Sequence, residues 1–250
     1  MNLNFSGKTV AISGVSSGFG VAITKRFLSL GANVFGCDVS DTAFSDLERL
    51  GAVLARVDLT NSSSASAWIE DVENSSSGVV DVLINNAGGV AGQTKKPIEQ
   101  LTDEEWRVVI DINLGSTFSL CRAVVPGMKR TRSGTIVNIS SGAALQASMT
   151  GIQAYCAAKH AVLGLTRQLA HELGPFGIRA NTVAPGFIVT NEATQKQWDA
   201  YGQEKQKVLL EQIALRRLGT ADEIADAVLF FASNLSTFIN GQVLSIDGGK

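Results

Sequence analysis

Charge is scarce in this chain. Asp, Glu, Lys and Arg make up 18% of its 250 residues, and the net charge is −2, against about a quarter charged in ordinary globular domains. That balance leaves no nucleic-acid footprint. The nearest approach to a basic cluster is Lys129, Arg130 and Arg132, at an expected helix end, where cations suit the macrodipole. Scarce charge also implies that some faces normally given to water are buried between subunits. Cysteine is rare as well. Cys37, Cys121 and Cys156 are odd in number and widely spaced, which excludes a disulfide framework and a metal motif and favours a reducing compartment. Cys156 adjoins Tyr155, but neighbours on a helix point about 100° apart, so it reads as a small packing residue. Only two histidines occur, His160 and His171; His160 reads as a packing or interface residue, and no metal site is expected. No segment approaches 18 uncharged apolar residues, which argues against a membrane span. The amino terminus lacks the basic region and apolar run of a secretory signal. The expectation is a soluble, cytoplasmic protein with no membrane or nucleic-acid partner.

What is present is a core. Apolar residues are 45% of the chain, enough for one large α/β domain. Short apolar runs alternate with helical patterns: 8–13, 33–37, 53–57, 79–84, 134–139, 178–184 and 242–246 read as strands. Segments near 21–30, 43–50, 64–74, 102–128, 152–173 and 221–232 read as helices. This alternation predicts βαβ units and a doubly wound parallel sheet of about seven strands, with helices on both faces, in a single domain. Thr102 and Glu105 form an expected capping box. Residues 187–216, polar and helix-prone with Trp198 and Tyr201, read as a mobile lid over a substrate.

Several motifs carry chemistry. Tyr155 and Lys159 stand four apart on one helix face, where a fixed cation favours the phenolate; the bland alternative is an ordinary amphipathic helix. Gly14, Gly18 and Gly20 fall between the first strand and first helix, where glycines let backbone approach a pyrophosphate; a plain tight turn is the alternative. Asp38 ends the second strand, where a carboxylate accepts from adenosine ribose hydroxyls and repels an extra phosphate, unless it is a turn aspartate. Asp58, ending the third strand, reads either as an acceptor for the adenine amino group or as a cap.

Taken together, Ser13-Gly14-x-x-x-Gly18-Phe19-Gly20, Asn85-Asn86-Ala87-Gly88, Asn113, Ser140-Ser141 with Tyr155-x-x-x-Lys159, and Pro185-Gly186-x-x-x-Thr190 resemble the short-chain dehydrogenase/reductase family over essentially the whole chain. The resemblance implies a catalytic set of Ser141, Tyr155, Lys159 and Asn113. Tyr155 would move the proton, Ser141 would polarise the substrate oxygen, and Lys159 would lower the tyrosine pKa and hold the ribose. Asn113 would link Lys159 to solvent through water. Cofactor contacts are expected from Gly14, Ser16, Ser17, Gly18, Phe19, Gly20, Asp38, Asp58, Leu59, Asn85, Ala87, Gly88, Tyr155, Lys159, Pro185, Gly186, Ile188 and Thr190. Ser141 lies fourteen residues before Tyr155, one more than the family spacing, so Ser140 stays open as the alternative. Asp38, with Ser17 and Val39 where NADP-using members often carry a basic residue, predicts NAD.

The small polar residues Gln146, Ser148, Thr150 and Gln153 point to a sugar, polyol or other small secondary alcohol, and hence an NAD-dependent dehydrogenase. An NADPH-dependent biosynthetic reductase of 3-oxoacyl thioesters and a non-catalytic NAD-binding regulator are the alternatives. The carboxy-terminal pattern from Asn240 to Gly249 and the two long helices resemble members that assemble as homotetramers.

Overall fold

The computed structural model describes residues 3–148 and 150–250. One position of the expected substrate loop, Met149, and the first two residues, Met1 and Asn2, lie outside the described residues. Seven strands form one parallel sheet in the order β3-β2-β1-β4-β5-β6-β7. They are β1 Thr9–Ser13, β2 Asn33–Asp38, β3 Val53–Arg56, β4 Val82–Asn85, β5 Gly134–Ile139, β6 Ile178–Pro185 and β7 Val243–Ile246. The central strands read as continuous apolar runs because helices cover both faces. Every residue of β1 and β5 is buried.

The helices are α1 Gly18–Ser29, α2 Phe44–Arg49, α3 Ser62–Asn74, α4 Asp103–Ile110, α5 Ser116–Thr131, α6 Gln153–Leu173, α7 Glu192–Gln212 and α8 Ala221–Ala232. One core lies where α1 and α8 meet the sheet, around Ile23, Phe27 and Val228. The other gathers Trp68, Leu120, Val124 and Leu173 from α3, α5 and α6. Burying each such side chain is worth about 1.5–3 kcal/mol. The expected capping box is formed: the Glu105 amide donates to Thr102 Oγ1 at 3.2 Å and the Thr102 amide to Glu105 Oε2 at 2.9 Å.

One expectation needs correction. The helix expected over 102–128 is interrupted by a π-turn at Asp111–Gly115, so α4 and α5 are separate. Such bulges insert one residue into the helical ladder and recur at functional sites; here Asn113 sits within it. An 18-residue window within Asp103–Thr131 reaches a mean hydropathy of 1.5, enough by length and composition to cross a membrane, although 44% of that window is buried inside the protein. Its buried face packs on α3 and on strands β4 and β5.

The strand order turns around between β1 and β4, whose other neighbours lie on opposite sides. In such sheets the crevice at the carboxyl ends of these strands is where ligands bind. Ser13, at the end of β1, ties the two loops that leave this point. Its hydroxyl accepts from the amides of Asn86 and Ala87 at 3.1 and 3.0 Å.

Candidate active site and nicotinamide cofactor cradle

A single cavity of about 660 Å³ opens along the carboxyl ends of the strands, from Asp38 at one end to Ser141, Tyr155 and Tyr201 at the other. At its floor, Gly14 has φ 73°, and a Cβ there would come within 2.8 Å of Ala87 Cα. Gly18 has φ 55°, and its Cβ would meet Thr190 Oγ1 at 2.9 Å. At Gly20 a Cβ would land on the Gly14 carbonyl oxygen. The turn is therefore closed to side chains on three counts, and it delivers the N-terminus of α1 to the cavity. Asn86 Nδ2 holds the Gly14 carbonyl at 2.7 Å. These are the features a pyrophosphate needs, and the residues present fit a dinucleotide.

Asp38 is fixed by its surroundings. Its Oδ2 accepts from the Ser16 amide at 2.9 Å and its Oδ1 from the Ser40 amide at 3.1 Å. Asp58 lines the cavity and also closes a turn, accepting from the amide and hydroxyl of Thr60 at 2.9 and 2.7 Å; these bonds hold its carboxyl below the usual range. Both readings of Asp58 thus have a structural counterpart. Ser17, Phe19, Leu59, Ala87, Gly88, Pro185, Gly186, Ile188 and Thr190 line the same cavity.

Asn85, Ser16 and Gly20 stand behind the wall. Asn85, the last residue of β4, is buried and donates to Asn138 Oδ1 at 2.8 Å; Asn86, the first residue past the strand, lines the cavity instead.

At the other end, α6 carries Tyr155 and Lys159. Lys159 is buried, 4% exposed, and its Nζ donates to the Ile139 carbonyl at 3.0 Å. Burial without a carboxylate partner pulls its pKa down from 10.5 to about 8. Its Nζ lies 5.7 Å from the Tyr155 ring centre. The expected lowering of the Tyr155 pKa by this cation is not found. Burial raises the phenol, and the Ser141 hydroxyl, hydrogen-bonded to it, only partly offsets that.

Ser140 is committed elsewhere: its hydroxyl donates to the Lys159 carbonyl at 2.9 Å. Ser141 faces the cavity, and its Oγ also accepts from the Ala143 amide at 3.1 Å. The geometry thus separates the two serines that spacing left open.

Asn113 is fully buried and clamps the loop after β4. Its Nδ2 donates to the carbonyls of Gly89 and Val109, each at 2.8 Å, and its Oδ1 accepts from the Gly89 amide at 3.0 Å. Gly88 lies between Asn113 and Lys159; a Cβ there would meet Lys159 Nζ at 3.2 Å. The structure also adds residues that the motifs did not indicate. Val90, Ile112 and Phe187 line the cavity, as do Gln197 and Tyr201 from α7. Only the aromatics of 187–216 carried a signal in the sequence. Among the described residues no cluster of side chains suits a metal ion.

Comparison with known proteins agrees with this geometry. A family model described as Enoyl-(Acyl carrier protein) reductase matches residues 14–250. The chain is 39% identical, over 100% of its length and 99% of the relative's, to a 3-oxoacyl-(acyl-carrier-protein) reductase FabG of Chlamydia muridarum. Among solved structures, it is similar to a levodione reductase, with TM-score 0.91 and 31% identity over 98% of both chains. It is also similar to a 3-oxoacyl-(acyl-carrier protein) reductase with bound NAD from Brucella melitensis, with TM-score 0.86 and 33% identity over 99% of this chain and 93% of that one.

These relatives overturn the expected sugar or polyol dehydrogenase in favour of the biosynthetic-reductase alternative. Of the side chains counted as polar lining, Gln146, Ser148 and Thr150 do line the cavity, but they do not make its wall wholly polar. Gln153 turns away and donates to the Lys96 carbonyl at 3.0 Å. Ser148 and Thr150 bond one another at 2.6 Å. Phe187, Val90 and Ala193 make part of the wall apolar. The glycine turn, the Tyr155–Lys159 helix and full-length relatedness agree on one conclusion: the chain belongs to the short-chain dehydrogenase/reductase family and is an oxidoreductase with a nicotinamide cofactor.

Proposed function

We propose that this protein reduces the 3-oxo group of an acyl thioester to a 3-hydroxyl, with NAD(H) in preference to NADP(H). The observation that carries this reading is full-length similarity to 3-oxoacyl-(acyl-carrier-protein) reductases. When bound, the nicotinamide dinucleotide supplies a hydride for the carbonyl carbon. Tyr155 gives the proton to the carbonyl oxygen. The phenol is protonated at neutral pH, so it has the proton to give. Ser141 hydrogen-bonds the same oxygen and stabilises the charge that develops there. Lys159, with its pKa lowered to about 8, keeps most of its charge at neutral pH and reaches towards the ribose. The Asn113 carboxamide is committed to Gly89 and Val109, so in this proposal it acts by holding the 87–89 loop against Lys159. Asp38 favours NAD, since a carboxylate at the ribose repels a 2′-phosphate.

Residues 187–216 act as the lid. A homotetramer is part of the proposal. Trp106, Val108 and Phe118 leave an apolar face exposed on α4 and α5, and Leu235, Phe238 and Leu244 leave another near β7; symmetric pairing would cover both. Sedimentation equilibrium tests this, and a monomer at micromolar concentration refutes it. The reaction is tested by following nicotinamide absorbance with 3-oxobutanoyl-coenzyme A. The expected result is turnover with higher kcat/KM for NADH than for NADPH. Preference for NADPH refutes the cofactor assignment, and no turnover with either refutes the reaction.

A further inference from the structure

We propose that Tyr201, backed by Phe187 and Trp198, sets the acyl-chain length this protein accepts; the inference rests on the thioester-reductase reading above. The three rings form one cluster. Phe187 and Trp198 stack with centres 5.9 Å apart, Phe187 and Tyr201 lie 5.9 Å apart at 60°, and Trp198 meets Tyr201 edge-on at 6.3 Å. These spacings are those of favourable aromatic pairs.

The two sides of the cluster differ in rigidity. Phe187 follows Gly186, whose amide donates to the Ile246 carbonyl of β7 at 2.9 Å, so its backbone is anchored next to the sheet. Trp198 and Tyr201 ride on α7, which buries no residue fully. α7 is broken at Gly202, with φ 69° and ψ 162°, a backbone region essentially confined to glycine. Nothing lies within 4 Å of the place a Cβ would take there, so this glycine serves the backbone turn and not packing. The break makes 192–201 a short flap of its own. Gln206 Nε2 bridges it by donating to the Trp198 carbonyl at 2.8 Å.

Tyr201 is the ring that closes the cavity from the flap side. Gln197 Nε2 donates to its hydroxyl at 2.8 Å, and both side chains line the cavity. The 3-oxo group belongs beside Ser141 and Tyr155, and in this proposal the acyl tail then runs towards Phe187 and Tyr201, which line the same cavity. A short tail lies against the rings. A long one must displace Tyr201 and lose the contacts that hold the flap down.

The test compares kcat/KM for 3-oxobutanoyl- and 3-oxooctanoyl-coenzyme A. Each methylene given new apolar contact is worth about fourfold in binding. Tyr201→Ala should therefore raise the long-to-short ratio at least about tenfold. Tyr201→Phe, which keeps the ring and loses only the Gln197 bond, should stay close to the wild-type ratio. Phe187→Ala, which opens the wall from the sheet side, should move the ratio in the same direction as Tyr201→Ala and keeps the test decisive should either variant fold poorly. Ratios unmoved in both alanine variants, with the wild type active, overturn the selector and leave the reaction standing. A wild type inactive on both thioesters overturns the reaction and the selector together.

Discussion

Lys159→Met probes the lysine whose charge the fold isolates. The ammonium is buried with a carbonyl as its hydrogen-bond partner, and its pKa falls from 10.5 to about 8. The protonated form is thus disfavoured in the folded chain. Below pH 8 both folded and unfolded chains hold the proton and the penalty is present in full. Between pH 8 and 10.5 the unfolded chain holds more protons, so this group's contribution to stability rises with pH. The whole change is about 3 kcal/mol. Burial raises the pKa of Cys37, Cys121 and Tyr155, and these act in the opposite sense, losing stability as pH rises. They are common to both proteins and cancel in the difference. Working in a Tyr155→Phe background removes the one titrating neighbour in contact with the substituted position. Methionine removes the charge and leaves the Ile139 carbonyl unpaired, a pH-independent cost of about 1–3 kcal/mol. Urea unfolding without cofactor, from pH 7 to 10.5, measures the difference between lysine and methionine proteins. The lysine protein should gain on the methionine protein by about 3 kcal/mol across that range. A difference that stays flat, or moves the other way, refutes a desolvated and unpaired ammonium.

Two further outcomes follow from the site. Gly20→Ala places a Cβ on the Gly14 carbonyl oxygen, so the turn must open; overpacking of this kind costs about 1–3 kcal/mol. NADH binding, read by its fluorescence, should weaken at least about tenfold, and unchanged binding would show that the cradle is not where the cofactor lies. Tyr155→Phe removes the proton donor and should lower kcat about 100-fold or more while the dissociation constant for NADH changes little; near-normal kcat would assign the proton to another group.

The chain's order of elements was legible because it rests on local periodicity. Parallel strands covered on both faces have to be continuous apolar runs, and the glycines between β1 and α1 are needed by backbone geometry that no side chain permits. Tyr155 and Lys159 were legible for the same reason: helix pitch alone puts them on one face. The Thr102–Glu105 box was another, since its bonds span only three residues.

What required the tertiary structure was everything that depends on who faces whom. Ser140 and Ser141 are equivalent in sequence, and only the Lys159 carbonyl decides between them. Asn85 is buried against Asn138 at the end of β4, and Asn86, just past the strand, lines the cavity in its place. The π-turn around Asn113 leaves no trace in hydrophobic period. The polar loop suggested a hydroxylated substrate by composition, and Gln146, Ser148 and Thr150 do line the cavity, yet Gln153 turns to Lys96, and Phe187 and Tyr201 reach the same cavity from a segment some forty residues further on. The ionisation of Tyr155 and Lys159 is the clearest case. The sequence supplied the pair and its spacing. Burial, a property of the packed chain alone, decides that the phenol is raised and the ammonium lowered.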